Sequence, residues 1–323
     1  MNDSYLATTQ DVYAEAAATP DAALCCTTSP VWALPGLDVP ECMLEMNYGC
    51  GTTVHPSDLR AEDTVLYVGV GGGMEALQFA WFTRRPGAVI AVDPVARMRE
   101  KAHENFAIAR ATNDWFTEDM VDVRHGDALA LPIEDGTITV AAQNCLFNIF
   151  KDDDRDVALA EIHRVLAPGG RLVLSDPVAP HPLPQHLLDD EVLRARCMTP
   201  PTLERYLDDL VRAGFGTLEV RRKSPYRLLD KRRYALDDHI LLDSIEVVAH
   251  KVPVPDDGPC IFTGCTAIYN GTDAQFDDGA GHVLLREVPL AVCDKTAAAL
   301  AALQHPDLFI TPRTWHYAGN GCC

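Results

Sequence analysis

The fold is decided by residues 65–73, which read VLYVGVGGG. Four hydrophobic residues predict a short buried strand, and the glycines after it let the backbone pass close to a bound cofactor at the carboxyl edge of a parallel sheet. Asp93 ends the next hydrophobic run about 20 residues later, where a carboxylate accepts hydrogen bonds from both ribose hydroxyls. We therefore predict a nucleotide-type cofactor site that includes Gly69, Gly71, Gly73 and Asp93.

Further hydrophobic runs follow this stretch and alternate with helical patterns. The predicted strands are residues 88–92, 121–123, 138–142 and 171–174. Helices are predicted over residues 156–166, ending at a Pro-Gly-Gly step, and over residues 200–215. Because this alternation is typical of parallel strands joined by crossover helices, we expect an α/β fold with a doubly wound sheet.

Changes in composition along the chain predict four regions. Residues 1–54 are interpreted as an N-terminal arm or lid, and residues 55–180 as the cofactor-binding domain. Residues 181–240 are expected to bind the substrate. Residues 241–323, rich in turn residues and short β-type runs, are expected to form a small α+β C-terminal domain.

Composition narrows the classes of function. The 323-residue chain has a formal net charge of -20, which argues against nucleic-acid partners and anionic membrane surfaces. It has neither a basic and apolar leader nor a run of about 18 apolar residues, so a cytoplasmic location is expected. Eleven cysteines in a chain of this length indicate reduced thiols rather than a disulfide framework.

Two further motifs favour S-adenosylmethionine over a dinucleotide. Residues 126–132, GDALALP, put Asp127 and Ala128 at the end of the third predicted strand, where an acidic side chain approaches the adenine amino group. Residues 161–173, EIHRVLAPGGRLV, resemble the late helix-to-strand segment of class I methyltransferases. Tyr67 departs from that superfamily, in which an acidic residue usually occupies this position near the methionine ammonium group.

Within that superfamily, the chain resembles the arsenite methyltransferases along nearly its whole length. The resemblance rests on motifs that occur in the family in the same order: CCTTSP at residues 25–30, NYGCG at 47–51, NCLFN at 144–148, Cys197 before a helix, CTAIYNG at 265–271 and GCC at 321–323. The N-terminal motif and the short tail are most similar to the bacterial subgroup associated with arsenosugar biosynthesis.

The resemblance implies a substrate and its ligands. Trivalent arsenic, delivered as a thiol adduct, would be held by Cys145, Cys197 and one of Cys25 and Cys26. Cys26 is taken as the third ligand, and Cys25 is the alternative to it. Cys50 corresponds to a cysteine that relays a disulfide, so glutathione or thioredoxin would act as the reductant. The chemistry is consistent with this, because trivalent arsenic is soft and prefers thiolate sulfur.

The same motifs supply two further candidate cofactor contacts, Tyr48 and Asn144. Two alternative functions stay open. One is a class I methyltransferase for another small metabolite, and the other is a metalloid-binding protein that keeps the fold without catalysis, which Tyr67 favours.

Other cysteines have simpler interpretations. Cys42, Cys260 and Cys293 are interpreted as packing residues, and the spacings contain no Cys-x2-Cys pair of the kind found in zinc fingers. Residues 322–323 either bind metalloid or form a frayed tail. The acidic residues 152–154 are interpreted as a solvated loop before a helix, or as its N-cap.

Overall fold

The glycine-rich stretch includes and follows an interior strand of the main sheet of a computed structural model, which describes residues 4–21, 24, 30–319 and 321–322. The main sheet contains eight strands: β1 (Val65–Val68), β2 (Val89–Asp93), β3 (Val121–His125), β4 (Ile138–Asn144), β5 (Leu166–Val178), β6 (Thr217–Leu229), β7 (Ile240–His250) and β8 (Cys260–Phe262). Their order is β3-β2-β1-β4-β5-β7-β6-β8. The first five are parallel, and β7 pairs antiparallel with both β5 and β6.

Nine α-helices are described: α1 (Ser4–Ala18), α2 (Glu41–Glu45), α3 (Met74–Thr83), α4 (Ala96–Thr112), α5 (Asp152–Val165), α6 (Gln185–Leu188), α7 (Glu191–Ala195), α8 (Leu203–Arg212) and α9 (Asp294–Ala302). Short 3₁₀ helices span Pro56–Asp58, Glu118–Met120 and Phe147–Ile149. Within the described part of the chain, no helix is long and apolar enough to cross a membrane.

Alternating side chains of β1 pack into two cores on opposite faces of the sheet. Leu66 and Val68 belong to the core covered by α5 and α8, whereas Val65 and Tyr67 belong to the core covered by α3 and α4. Helices therefore cover both faces, which confirms the predicted class I methyltransferase, Rossmann-like fold with its doubly wound sheet.

Helix α5 begins earlier than the sequence analysis predicts. Asp152, Asp153 and Asp154 form its first turn, and Lys151 takes the N-cap position, so the interpretation of residues 152–154 as a loop or N-cap is wrong. Carboxylates in a first helical turn interact favourably with the positive end of the helix dipole, which explains why the acidic run is helical.

The main sheet extends to Phe262, past the region boundaries predicted at residues 180 and 240. β7 adds to β5 over residues 171–178 and 243–250. A separate three-stranded sheet follows, formed by β9 (Cys265–Tyr269), β12 (Leu290–Val292) and β13 (Leu308–Ile310), and a hairpin is formed by β10 (Gln275–Asp277) and β11 (Val283–Leu285). Whether the four regions are separate domains stays a prediction.

Candidate active site

The glycine loop bends sharply between β1 and α3. Gly69, Gly71 and Gly73 have φ angles of 87°, 52° and 87°, a left-handed region that side chains rarely adopt. A Cβ on Gly69 would meet no described atom within 4 Å, whereas one on Gly73 would lie 2.9 Å from the ring of Phe106. Gly69 and Gly71 line a cavity, and the close approach of Phe106 to Gly73 shows that this glycine also lets α3 and α4 pack together.

This cavity lies at the carboxyl edge of the parallel strands and has a volume of about 820 Å³ with its open mouth included. The strand ends contribute Val68, Asp93, Asp127, Ala128, Asn144 and Cys145 to its wall. Leu6, Thr9, Gln10 and Tyr13 of α1 cover it from the other side. The N-terminal helix thus contributes directly to the wall of the predicted cofactor site.

Asp93 is nearly buried at the end of β2. Its Oδ2 accepts a hydrogen bond from the backbone N–H of Val70 at 3.1 Å, and its Oδ1 accepts one from Val95 at 2.9 Å. Burial raises the pKa of this carboxyl to about 6, although the backbone donors and Arg99 act in the opposite direction. Asp93 therefore joins the glycine loop to the start of α4, and its oxygens keep lone pairs for further donors.

Tyr48 and Asn144 line the same cavity and connect it to the segment before the fold. The Tyr48 hydroxyl accepts a hydrogen bond from the backbone N–H of Asp21 at 3.0 Å. Asn144 Oδ1 accepts from the N–H of Cys50 at 3.1 Å, and its Nδ2 donates to the carbonyl of Gly51 at 2.9 Å. Asn144 consequently holds the Cys50 segment against the end of β4.

Sequence reasoning missed a buried carboxylate beneath the glycine loop, that of Glu75. Tyr67 donates a hydrogen bond to Glu75 Oε2 at 2.7 Å, Asn144 Nδ2 lies 3.3 Å from the same oxygen, and the N–H of Thr53 donates to Oε1 at 2.9 Å. Burial raises the pKa of Glu75, and these donors oppose the rise. Thus, α3 supplies an acidic group beside Tyr67, and the only signal in the sequence is one acidic residue in an otherwise apolar helix start.

Three of the predicted cysteines, Cys50, Cys145 and Cys197, belong to the same hydrophobic core. Cys145 directly follows β4 and lines the cavity, whereas Cys197 is fully buried behind it and is not among the described lining residues. The Cys197 thiol donates to the carbonyl oxygen of Cys145 at 2.9 Å. The Cys50 thiol lies 3.5 Å from the hydroxyl of Ser175 at the neighbouring end of β5.

A second buried carboxylate, that of Asp176, organises the loop that carries Cys145. Its oxygens accept hydrogen bonds from Gln143 Nε2, Asn148 Nδ2 and the Tyr206 hydroxyl. Gln143 in turn accepts from the backbone N–H of Leu146 at 2.7 Å. Burial, followed by the charge of Asp176, raises the pKa of Tyr206 well above its ordinary value. The loop is therefore held from both ends by groups bonded to one carboxylate.

Cys25 and Cys26 lie outside the described residues. The residue before them, Leu24, is fully buried in a cluster with Met46 and Met98, and Met98 lines the cavity. Asp21 forms a 3.0 Å ion pair with Arg196, the neighbour of Cys197. The described part of the N-terminal arm is thus attached beside both the cavity and the Cys197 segment.

Comparison with known proteins defines the class of protein. Residues 66–174 match the family model described as "Methyltransferase domain". The structure is similar, with a TM-score of 0.59 and 23% identity, to a crystal structure of an arsenic(III) S-adenosylmethionine methyltransferase from Chlamydomonas reinhardtii, covering 88% of this chain and 99% of that one. Residues 66–174 therefore form a methyltransferase domain, and the fold around them is of class I.

Two curated relatives are more specific. The arsenite methyltransferase of Aquipseudomonas alcaligenes is 35% identical over 185 residues, which cover 54% of this chain and 50% of that protein. That of Halobacterium salinarum is 31% identical over 183 residues, which cover 55% of this chain and 44% of that protein. The predicted resemblance to the arsenite methyltransferase family is confirmed, and the chain spans about half the length of these relatives.

The cavity has the features that S-adenosylmethionine needs. At Gly69 the backbone borders the cavity without a side chain. Asp93 supplies a carboxylate that backbone hydrogen bonds hold in place. Asp127 and Ala128 add one polar and one apolar side chain to the wall. Asp127 is itself fixed, because its Oδ1 accepts a hydrogen bond from the N–H of Leu129 at 2.9 Å. The residues present therefore fit this cofactor.

Proposed function

We propose that the chain transfers a methyl group from S-adenosylmethionine to trivalent arsenic that cysteine thiolates hold. The observation that carries the proposal is the contact of the buried Cys197 with Cys145, which lines the cavity, in a chain similar to arsenite methyltransferases. Two cysteines 52 residues apart in the sequence are in contact at the end of β4, through the Cys197 thiol and the Cys145 carbonyl, next to the wall where the cofactor fits.

Arsenic chemistry suits such a site. Trivalent arsenic binds three thiolates and keeps a lone pair at the apex of the pyramid. Cys145, Cys197 and one of Cys25 and Cys26 would replace the thiols on which arsenic arrives and aim that lone pair into the cavity. Since arsenic is itself the nucleophile, the site needs no general base, and orientation supplies much of the acceleration.

Bound S-adenosylmethionine would supply a sulfonium methyl group, so that an As–C bond forms as the C–S bond breaks. Arsenic loses two electrons formally in this step. Two protein thiols return them by closing a disulfide, and Cys50, buried near the end of β5, is the proposed relay. Glutathione or thioredoxin would then reduce that disulfide, releasing trivalent methylated arsenic.

In this proposal, Asp93 would accept the ribose hydroxyls and Asp127 and Ala128 would contact the adenine ring. Tyr48 and Asn144 would line the methionine end together with Gly69 and Gly71. The link to arsenosugar biosynthesis stays a prediction from the N-terminal and C-terminal motifs.

The proposal is tested by incubating the purified protein with arsenite, S-adenosylmethionine, glutathione and thioredoxin. Arsenic species are then separated by chromatography and detected by elemental mass spectrometry. We expect methylated arsenic from the unmodified chain and a loss of roughly 100-fold or more in Cys145→Ser and Cys197→Ser, because each substitution removes an arsenic ligand. Cofactor binding, measured by calorimetry, should be retained in both variants.

Cys42→Ser is the matched control, because Cys42 lies in α2, away from the cavity, and should leave methylation unchanged. Cofactor consumption without methylated arsenic would instead indicate a methyltransferase for another metabolite. Arsenic binding without any binding of S-adenosylmethionine would indicate a metalloid-binding protein.

A further inference from the structure

A second pair of thiols lies in the small C-terminal sheet region, remote in sequence from the proposed active site. Cys293 precedes α9, and Cys322 lies in the chain's last described segment. Cys293 Sγ lies 3.3 Å from Thr296 Oγ1, and Cys322 Sγ lies 3.6 Å from the same oxygen. The backbone N–H of Cys293 also donates to Cys322 Sγ at 3.5 Å. Both sulfur atoms therefore converge on one hydroxyl.

The C-terminal segment is docked rather than frayed at this point. Gly321 forms a parallel bridge with Ala291 of β12, two residues before Cys293. A Cβ on Gly321 would lie 2.5 Å from Cζ of Phe262, so only glycine allows the backbone to approach this closely. The close packing at Gly321 and its bridge to Ala291 together place the Cys322 side chain next to Cys293.

We infer that Cys293 and Cys322 form a second metalloid site, which captures trivalent arsenic as a bis-thiolate. The distances among Cys293, Cys322 and Thr296 support the pairing of the two thiols. The choice of arsenic as the ligand rests on the proposed function. The interpretation of Cys293 as a packing residue treats it as a single buried thiol and does not account for a second sulfur at the same hydroxyl.

The environment favours bonds from sulfur to a soft, electron-poor centre. Cys293 is the N-cap residue of the nine-residue α9, where the helix dipole stabilises negative charge on sulfur. Cys322 is only half-buried, so a ligand reaches the pair from the surface. Within the described residues, no group of three or more His, Cys, Asp or Glu side chains could hold a metal ion.

Binding balances without an added oxidant or reductant. Hydrogen bonding to Cys293, together with burial, raises the pKa of the Cys322 thiol, so this thiol carries its proton at neutral pH. When arsenite binds, two As–S bonds form and two As–O bonds break, and the two thiol protons leave with the hydroxides as water. The third arsenic ligand stays a hydroxide.

The test uses arsenite alone and a full-length chain in which Cys25, Cys26, Cys145 and Cys197 are all Ser, so that the proposed active-site ligands are absent. After desalting, retained arsenic is measured by elemental mass spectrometry, and calorimetry with S-adenosylmethionine verifies the fold. We expect about one arsenic atom per chain, since a dithiol holds arsenic far longer than one thiol does.

Adding Cys293→Ser or Cys322→Ser to that chain should lower retained arsenic roughly tenfold or more, because one of two As–S bonds is lost. Cys322 lies at the half-exposed chain end, which keeps the test informative if the buried Cys293→Ser variant fails to fold. Cys42→Ser is the matched control, because Cys42 is part-buried like Cys322 but lies in α2, outside the clusters that contain Cys293 and Cys322.

The inference is overturned if the four-serine chain retains no arsenic, or if neither Cys293→Ser nor Cys322→Ser alters retention. It is also overturned if Cys323→Ser abolishes retention while Cys293→Ser does not, since the ligands would then be the two adjacent cysteines of the tail. These outcomes are independent of methylation, so failure of the unmodified chain to methylate arsenite would count against the proposed function alone.

Discussion

The thiol of Cys197 donates a hydrogen bond to the backbone carbonyl of Cys145 at 2.9 Å, and both residues have left-handed backbone angles, with φ of 52° and 64°. Residues other than glycine seldom adopt this conformation, and those that do cluster at active sites and ligand clamps. This hydrogen bond connects the two strained residues. Cys197 therefore has a structural role, as a donor to the Cys145 carbonyl, that is distinct from its proposed role as an arsenic ligand.

Serine and alanine at position 197 should therefore differ in stability but not in methylation. Cys197→Ser keeps a hydroxyl donor to the Cys145 carbonyl, whereas Cys197→Ala leaves that buried oxygen without it, a difference of about 1 kcal/mol in the free energy of unfolding. Urea denaturation measures the difference, and the arsenic assay should find both variants inactive. Full methylation by Cys197→Ser would contradict the ligand role.

Asp176→Asn should destabilise the chain strongly, because three donors converge on this fully buried carboxylate. An amide turns one acceptor into a donor that faces other donors, and we expect a loss of about 2–4 kcal/mol in the free energy of unfolding. Tyr206→Phe removes one of the donors and should cost less, about 1–2 kcal/mol. Urea denaturation tests both, and equal stabilities for Asp176→Asn and the unmodified chain would refute the network's importance.

Glu75→Gln should weaken binding of S-adenosylmethionine by roughly tenfold. The Glu75 carboxylate accepts from Tyr67, Thr53 and Asn144, and Asn144 lines the cavity, so a glutamine amide would displace Asn144 and remove a negative charge. Calorimetry measures the affinity. Tyr67→Phe is the control, since it removes only one hydroxyl and should have the smaller effect; a larger effect of Tyr67→Phe would point to the tyrosine itself as the cofactor contact.

Cofactor affinity should fall as pH falls through about 6. The pKa of Asp93 is raised to about 6 by burial, so its carboxyl is protonated below that pH and offers fewer acceptor sites for ribose hydroxyls. Where only the ionised form binds, affinity drops about tenfold per pH unit below 6. Calorimetry between about pH 5 and about pH 7, roughly one unit either side of this pKa, should record the drop.

Asp93→Asn should bind weakly with no such pH step, and a step that persists in this variant would assign it to another group. The sign for folding is opposite. Because the folded pKa exceeds the ordinary value of 3.8, the folded chain holds this proton more tightly, so Asp93 lowers stability as pH rises from 3.8 to about 6.

Alanine at two glycines of the same loop should separate cofactor binding from packing. Gly69→Ala places a methyl group into open space at the cavity, which costs about 1–2 kcal/mol of backbone strain and obstructs the cofactor. Gly73→Ala has the same strain plus a contact with Phe106, which costs about 1–3 kcal/mol more. Thermal denaturation and calorimetry would contradict this interpretation if Gly69→Ala proved the less stable variant.

The sequence predicted the parallel core of the fold because each of its strands carries a local signal. The runs at residues 65–68 and 138–142 are apolar on both faces, and the glycines follow the first of them directly. By contrast, the pairing of β7 with β5 joins segments about 70 residues apart. Only short β-type runs are expected beyond residue 240, and a local pattern does not show which sheet such a run enters, so the predicted sheet lacks β7.

By itself, then, the sequence determined the doubly wound class I fold, the glycine loop with Asp93, and the resemblance from which Cys145, Cys197 and one of Cys25 and Cys26 are proposed as arsenic ligands. Only the tertiary structure decided that Glu75 lies beside Tyr67 and that Cys322 meets Cys293. Local patterns report the environment of each residue along its own helix or strand. Contacts between distant side chains depend on how those elements pack, and no periodicity in the chain records that.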